Sequence, residues 1–116
     1  MKYMLLIYGN TETWEAMSAA GMDAVYDAHR ALQAEMRAAG EYVASDGLTT
    51  AGARVVQVQD GVPAVTDGPF TEAKEVLAGY YLVDCSLERA TELAAKLPEA
   101  PFSPIEIRAL TSPIPD

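Results

Sequence analysis

The chain reads as an α+β domain of the ferredoxin-like, split βαβ class, and three observations point there. Two runs, Lys2 to Tyr8 and Val76 to Cys85, are apolar on both alternating sets of side chains, as in strands covered on both faces. Two segments, Met22 to Ala39 and Leu87 to Leu97, carry apolar residues at steps of three and four, as in helices buried along one side. Between them Asp60-Gly61 joins two short β-prone runs, a strong hairpin signal. The order is strand, helix, strand with an inserted β-hairpin, central strand, helix, strand, which is the split βαβ pattern with two helices on one face of the sheet.

The first strand ends at Gly9-Asn10. Thr11 is placed to cap a short helical turn, with Glu12 and Glu15 near its positive end. Gly21 interrupts before the main helix, Met22 to Ala39. There Met22, Val25, Leu32 and Met36 form the apolar arc, and His29 sits in the same series. Gly40 follows where a left-handed residue is needed. Residues 41–52 form a short strand and a loop with turn signals at Asp46-Gly47 and Ala51-Gly52. Arg54 to Gln59 and Val62 to Thr66 are the hairpin arms. Pro63 cannot donate to a ladder, so the second arm lies at an edge or a bulge.

Asp67-Gly68-Pro69-Phe70 is a turn, and Thr71 to Glu75 is predicted as one helical turn. Val76 to Cys85 is the central strand. Ser86 caps the second helix, whose buried face is Leu87, Ala90, Leu93, Ala94 and Leu97, and Pro98 ends it. Ile105 to Leu110 is the last strand. The domain therefore spans residues 1–110, with 111–116 a loose C-terminal tail containing two prolines.

Composition excludes several classes. Hydrophobic residues make up 50% and charged residues 22% of the 116, so the chain is not disordered. A formal charge of −9 argues against direct nucleic-acid binding, which needs clustered Lys and Arg. No apolar run approaches the roughly 18 residues needed to span a membrane. A single Cys forbids an intramolecular disulfide and suits the reducing cytoplasm. One His and one Cys, far apart, make no zinc-type site, and there is no EF-hand, phosphate loop or nucleophile elbow. No cofactor or metal is expected.

Two helices cover one face of such a sheet, yet the two long strands are apolar on both. A monomer would expose that second face, so a homodimer packed sheet against sheet is expected. The competing arrangement folds the hairpin over the same face.

The segment Val65 to Leu82 (VTDGPFTEAKEVLAGYYL) carries a more specific pattern. Asp67-Gly68-Pro69-Phe70, then Glu72, Lys74-Glu75 and Gly79-Tyr80, resembles the YCII-related family, and more narrowly its branch named after the DGPF motif. Ile105-Glu106-Ile107-Arg108 resembles that branch's closing E-x-R strand; Ala109 departs from its usual proline. Met1 to Tyr8, Gly40 and Gly47-Leu48 also fit, so the resemblance covers residues 1–110. It implies a ferredoxin-like domain paired into a dimeric α/β barrel, a superfamily that includes muconolactone isomerase-like enzymes and small cofactor-free monooxygenases. It also implies a pocket lined by a His and an Asp, and a regulatory link to sigma factors of the extracytoplasmic-function type.

His29, the only histidine, has two readings: a core imidazole bonded to a backbone group, or a general acid/base suited by its ordinary pKa of about 6.5. Asp67 is either a turn carboxylate capping backbone N–H groups or, as the resemblance implies, the partner of His29. Tyr8 and Tyr81 are candidate ligand contacts through their hydroxyls, against a packing role. Lys74 and Arg108 are candidates to hold an acidic ligand, against a solvated turn with a weak ion pair at Lys74 and structural ion pairing of Glu106 and Arg108 across strands or at the dimer seam. Trp14 either lids the same pocket or anchors its loop. Two functions follow: a small dimeric enzyme or small-molecule binder doing acid/base chemistry with His29 and Asp67, or a non-catalytic regulatory protein that binds a protein partner.

Overall fold

Strand β1 (Lys2–Gly9) runs through the middle of a four-stranded antiparallel sheet in the computed structural model, which describes residues 1–69 and 75–111. The remaining elements are α1 (Thr11–Ala20), α2 (Met22–Ala38), β2 (Tyr42–Gly47), β3 (Arg54–Gln59), β4 (Val62–Asp67), β5 (Val76–Asp84), α3 (Leu87–Lys96) and β6 (Ile105–Ala109). The sheet order is β2-β5-β1-β6, and β3 and β4 pair only with each other. Without that hairpin the topology is ferredoxin-like.

Alternation explains how the sheet faces its helices. Leu5 and Ile7 of β1, Tyr81 and Val83 of β5, and Ile105 and Ile107 of β6 share one face. Against it pack Leu32 and Met36 of α2 and Ala90, Leu93 and Ala94 of α3. The opposite face carries Leu6, Tyr80 and Leu82, which are half-exposed, and Leu77, which is exposed.

Where a single helical turn is expected after strand 1, α1 is a helix of 10 residues, so three helices are present among the described residues. Its cap is Asn10, not Thr11. The Asn10 side chain accepts from the Thr13 backbone N–H at 2.9 Å, and Thr13 Oγ1 accepts from the Asn10 N–H at 2.8 Å. This reciprocal cap satisfies two orphan donors. The segment shows little helical patterning because only Met17 is buried. Gly40 is left-handed (φ 71°), as a helix terminator should be.

The hairpin turn is as expected: Asp60 (φ 52°) and Gly61 (φ 77°) both take the positive φ that a two-residue connection requires. The arm exposes Val56, Val58, Val62 and Val65. Among the described residues it packs against no element of the sheet to any extent, so the open face is not covered by it. The chain exposes 7827 Å², above the about 6,100 Å² usual for its mass. Its radius of gyration, 16.3 Å, likewise exceeds the about 13 Å of an ordinary domain of this length. The proposed turn at Thr71 to Glu75 lies, apart from Glu75, outside the described residues, as does the tail beyond Thr111. No described helix is long and apolar enough to cross a membrane.

Candidate functional site

A cavity of about 540 Å³ lies between α1, α2 and the helix-facing end of the sheet. Its polar centre is built from three elements. His29 occupies the buried arc of α2 with Val25, Leu32 and Met36, so its ring points at the sheet. Tyr81 occupies the inward register of β5. Glu99 sits in the turn after α3, where its carbonyl accepts from the Phe102 N–H at 2.9 Å and the Ser103 N–H at 3.0 Å.

His29 Nδ1 lies 2.7 Å from the Tyr81 hydroxyl, and Nε2 lies 2.6 Å from Glu99 Oε2. The His29 and Tyr81 rings stack at 5.8 Å, nearly parallel at 11°. An ionised carboxylate only accepts, so Glu99 places the imidazole proton on Nε2 and leaves the Nδ1 lone pair to receive the Tyr81 O–H. Gln33 Nε2 donates to the same Tyr81 oxygen at 3.1 Å. A hydroxyl has two acceptor lone pairs, so one remains for a bound molecule. Burial raises the Tyr81 pKa above the ordinary phenol value, and the charge of Glu99 adds to this; the Gln33 hydrogen bond opposes it. Tyr81 is thus a neutral hydroxyl at physiological pH.

The cavity walls mix aromatic and aliphatic residues. Trp14 of α1, Tyr26 of α2 and Tyr42 of β2 contribute to them from the helix side of the sheet. Tyr42 stands edge-on to Tyr81 at 6.5 Å, bonds Ser45 Oγ at 2.7 Å, and carries the Arg37 guanidinium 4.1 Å over its ring. Trp14 lies against Gly9, where a Cβ would come within 2.6 Å of its indole nitrogen.

The sequence-predicted residues fall in different places. His29, Tyr81 and Tyr8 line the cavity, and Trp14 does so as a wall. Tyr8 donates its hydroxyl to Glu106 Oε1 at 3.0 Å, and burial together with that bond raises its pKa. Arg108 is exposed on β6 opposite Met4 and is not among the described cavity residues. Asp67 is exposed at the end of β4, opposite Arg54 in the hairpin register, and does not line the cavity. Within the chain His29 therefore meets Glu99 and not Asp67, because both ring nitrogens are occupied and Asp67 belongs to the separate hairpin. Lys74 lies outside the described residues, as do Phe70 and Glu72.

Sequence reasoning missed Gln33 and Glu99. Gln33 is four residues past His29, hence on the same helix face, and that spacing was the available signal. Glu99 lies 70 residues away with no periodic relation to His29.

Among the described residues no group of three or more His, Cys, Asp or Glu is arranged to hold a metal. Cys85 is a free thiol whose pKa is raised by burial and by the Glu41 charge, so it is not an activated nucleophile.

Two comparisons with known proteins find matches to this chain. The chain is 37% identical over 103 residues to an uncharacterized protein of Rhizobium meliloti (strain 1021), covering 86% of this chain and 82% of that one. The model of the YCII-related domain matches residues 1–112, and the chain belongs to that family.

Proposed function

We propose that this protein binds a small organic molecule in the cavity and moves a proton on it through Tyr81, His29 and Glu99. The observation that carries this reading is the unbroken hydrogen-bonded line from the Tyr81 hydroxyl through both nitrogens of His29 to Glu99. His29 has no free nitrogen for a substrate, so the hydroxyl is the contacting group. As Tyr81 takes a proton from the bound molecule, it passes its own to Nδ1, and no free tyrosinate forms. Glu99 stabilises the resulting imidazolium, the role a buried carboxylate plays beside a catalytic histidine. The reaction class is proton transfer, such as isomerisation or hydrolysis of a small molecule. Glu99 takes the role that the sequence reading assigned to Asp67.

Homodimerisation belongs to the same proposal, as a dimeric α/β barrel formed sheet against sheet. Its support is the uncovered Leu6, Leu77 and Leu82 face and the exposed valines of the hairpin. Membership of the DGPF branch is supported by Asp67-Gly68-Pro69-Phe70 in the sequence. A second reading, a regulatory protein in a sigma-factor circuit, draws on the same exposed hairpin as a protein-binding arm.

The test is deuterium incorporation from D2O into a panel of small enolisable carbonyl compounds, followed by NMR. Catalysed exchange that falls about 100-fold or more in His29→Gln and Tyr81→Phe, with the folded amide spectrum retained, supports the acid/base reading. Exchange unaffected by either change sinks it. A protein partner whose capture survives His29→Gln, with no catalysed exchange, favours the regulatory reading.

A further inference from the structure

We infer that the cavity takes a small organic amine, bound as its ammonium with an N–H directed at Glu99 and its apolar body among the aromatic and aliphatic walls. This rests on reading the cavity as a small-molecule site, and it names the class of molecule.

The first ground is an unmet acceptor. Glu99 Oε2 is engaged by His29, but Oε1 is buried and has no hydrogen-bond partner among the described residues. Glu99 lines the cavity. A buried carboxylate oxygen left without a donor is costly, and a donor on a bound molecule removes that cost. The second ground is the charge of the walls. Glu99 lines the cavity from the helix side, whereas Asp46, also at its rim, shares the open face of the sheet with Tyr80; no Lys or Arg is among the described lining residues. An anion would meet the Glu99 carboxylate with no compensating cation among the described lining residues, whereas an ammonium meets opposite charge. The third ground is the ring surface. Trp14 and Tyr26 contribute aromatic surface of the kind that attracts cations and apolar groups alike. A cavity of about 540 Å³ accommodates a molecule with one ring and a short chain. The sequence reading placed a ligand carboxylate at Arg108 or Lys74; the cavity chemistry favours the opposite charge.

The test uses three molecules of matched shape: phenethylamine, 2-phenylethanol and 3-phenylpropionate. Trp14 is the only tryptophan, so its fluorescence reports occupancy of the cavity directly. The expected order is amine, then alcohol, then carboxylate, with the amine at least about tenfold tighter than the carboxylate. Glu99→Gln should weaken the amine by about tenfold and leave the alcohol nearly unchanged. The wild-type comparison needs no variant, so it stands even if Glu99→Gln fails to fold. A carboxylate that binds as well as the amine, or an amine indifferent to Glu99→Gln, overturns the amine assignment and leaves the small-molecule reading intact. No saturable binding by any of the three at millimolar concentration overturns both. Amine binding without catalysed proton exchange leaves this inference standing and removes the acid/base reading.

Discussion

His29 and Glu99 face each other across 2.6 Å although 70 residues separate them in the chain. Both are partly shielded from solvent, with side-chain exposures of 19% and 15%. A carboxylate so placed sets which ring nitrogen carries the proton. The imidazole 15N shifts of this single histidine should therefore show the Nε2–H tautomer when the ring is neutral. Glu99→Gln should disturb those shifts, and Asp67→Asn should leave them unchanged. A response to Asp67→Asn as large as that to Glu99→Gln would restore Asp67 as the partner.

Gly9→Ala should displace Trp14. The new methyl would lie 2.6 Å from the indole nitrogen and 3.2 Å from Thr13 Oγ1, which belongs to the cap of α1. The indole must move or the helix must tilt. The expected result is a shifted Trp14 emission maximum and weaker binding of any cavity ligand, with the sheet core retained. Unchanged emission would mean that the wall is looser than this contact implies.

The elements were legible because each rests on local chemistry. Strand β1 is apolar on both alternating sets, α2 repeats at three and four, and Asp60-Gly61 suits the positive φ of its turn. Helix α1 was underestimated because it buries little, so periodicity had nothing to report; its real signal was Asn10 followed by Thr13. Half of the site was legible for the same reason, since His29 lies on the buried arc of its helix and Tyr81 on the inward register of its strand. Glu99 was hidden because its meeting with His29 depends on how the turn after α3 returns over the sheet, which no spacing encodes. The pairing with Asp67 came from the family resemblance and not from any local feature.

Core truncation should cost far more than truncation on the arm. Leu93 is fully buried between α3 and the sheet, so Leu93→Ala should lower the unfolding free energy by about 2–5 kcal/mol. Val58 is 66% exposed, so Val58→Ala should change the stability of an isolated chain by less than about 0.5 kcal/mol. Urea denaturation of both variants checks this. A large loss at Val58 would show that the valine is covered in solution by something beyond its own chain.

Association can be read separately. Leu6 and Leu82 lie opposite the helices, on the open face of the sheet. If two copies pack there, Leu82→Lys should convert a dimer into a monomer in sedimentation velocity at micromolar concentration, because a buried unpaired ammonium is strongly disfavoured. A wild-type protein that sediments as a monomer throughout would sink the sheet-to-sheet arrangement.

Alkaline pH should expose the burial of the two raised phenols. Tyr81 and Tyr8 both hold their protons above the ordinary phenol value, Tyr81 chiefly through burial and Tyr8 through burial and its bond to Glu106. The native state therefore keeps these protons after the unfolded chain has begun to lose them. The stability this represents is complete below about pH 10 and declines as pH rises through the ordinary phenol value toward the raised one. Unfolding free energies measured from about pH 9 to about pH 11 should fall, and the fall should be shallower in Tyr81→Phe and in Tyr8→Phe than in the wild type. Comparing each variant with the wild type removes the common contribution of the lysines. A wild-type slope matched by Tyr81→Phe would mean that the phenol is as free to ionise in the folded protein as in the unfolded chain. Tyr81 could then relay protons as a tyrosinate, and the concerted transfer to His29 would lose its reason.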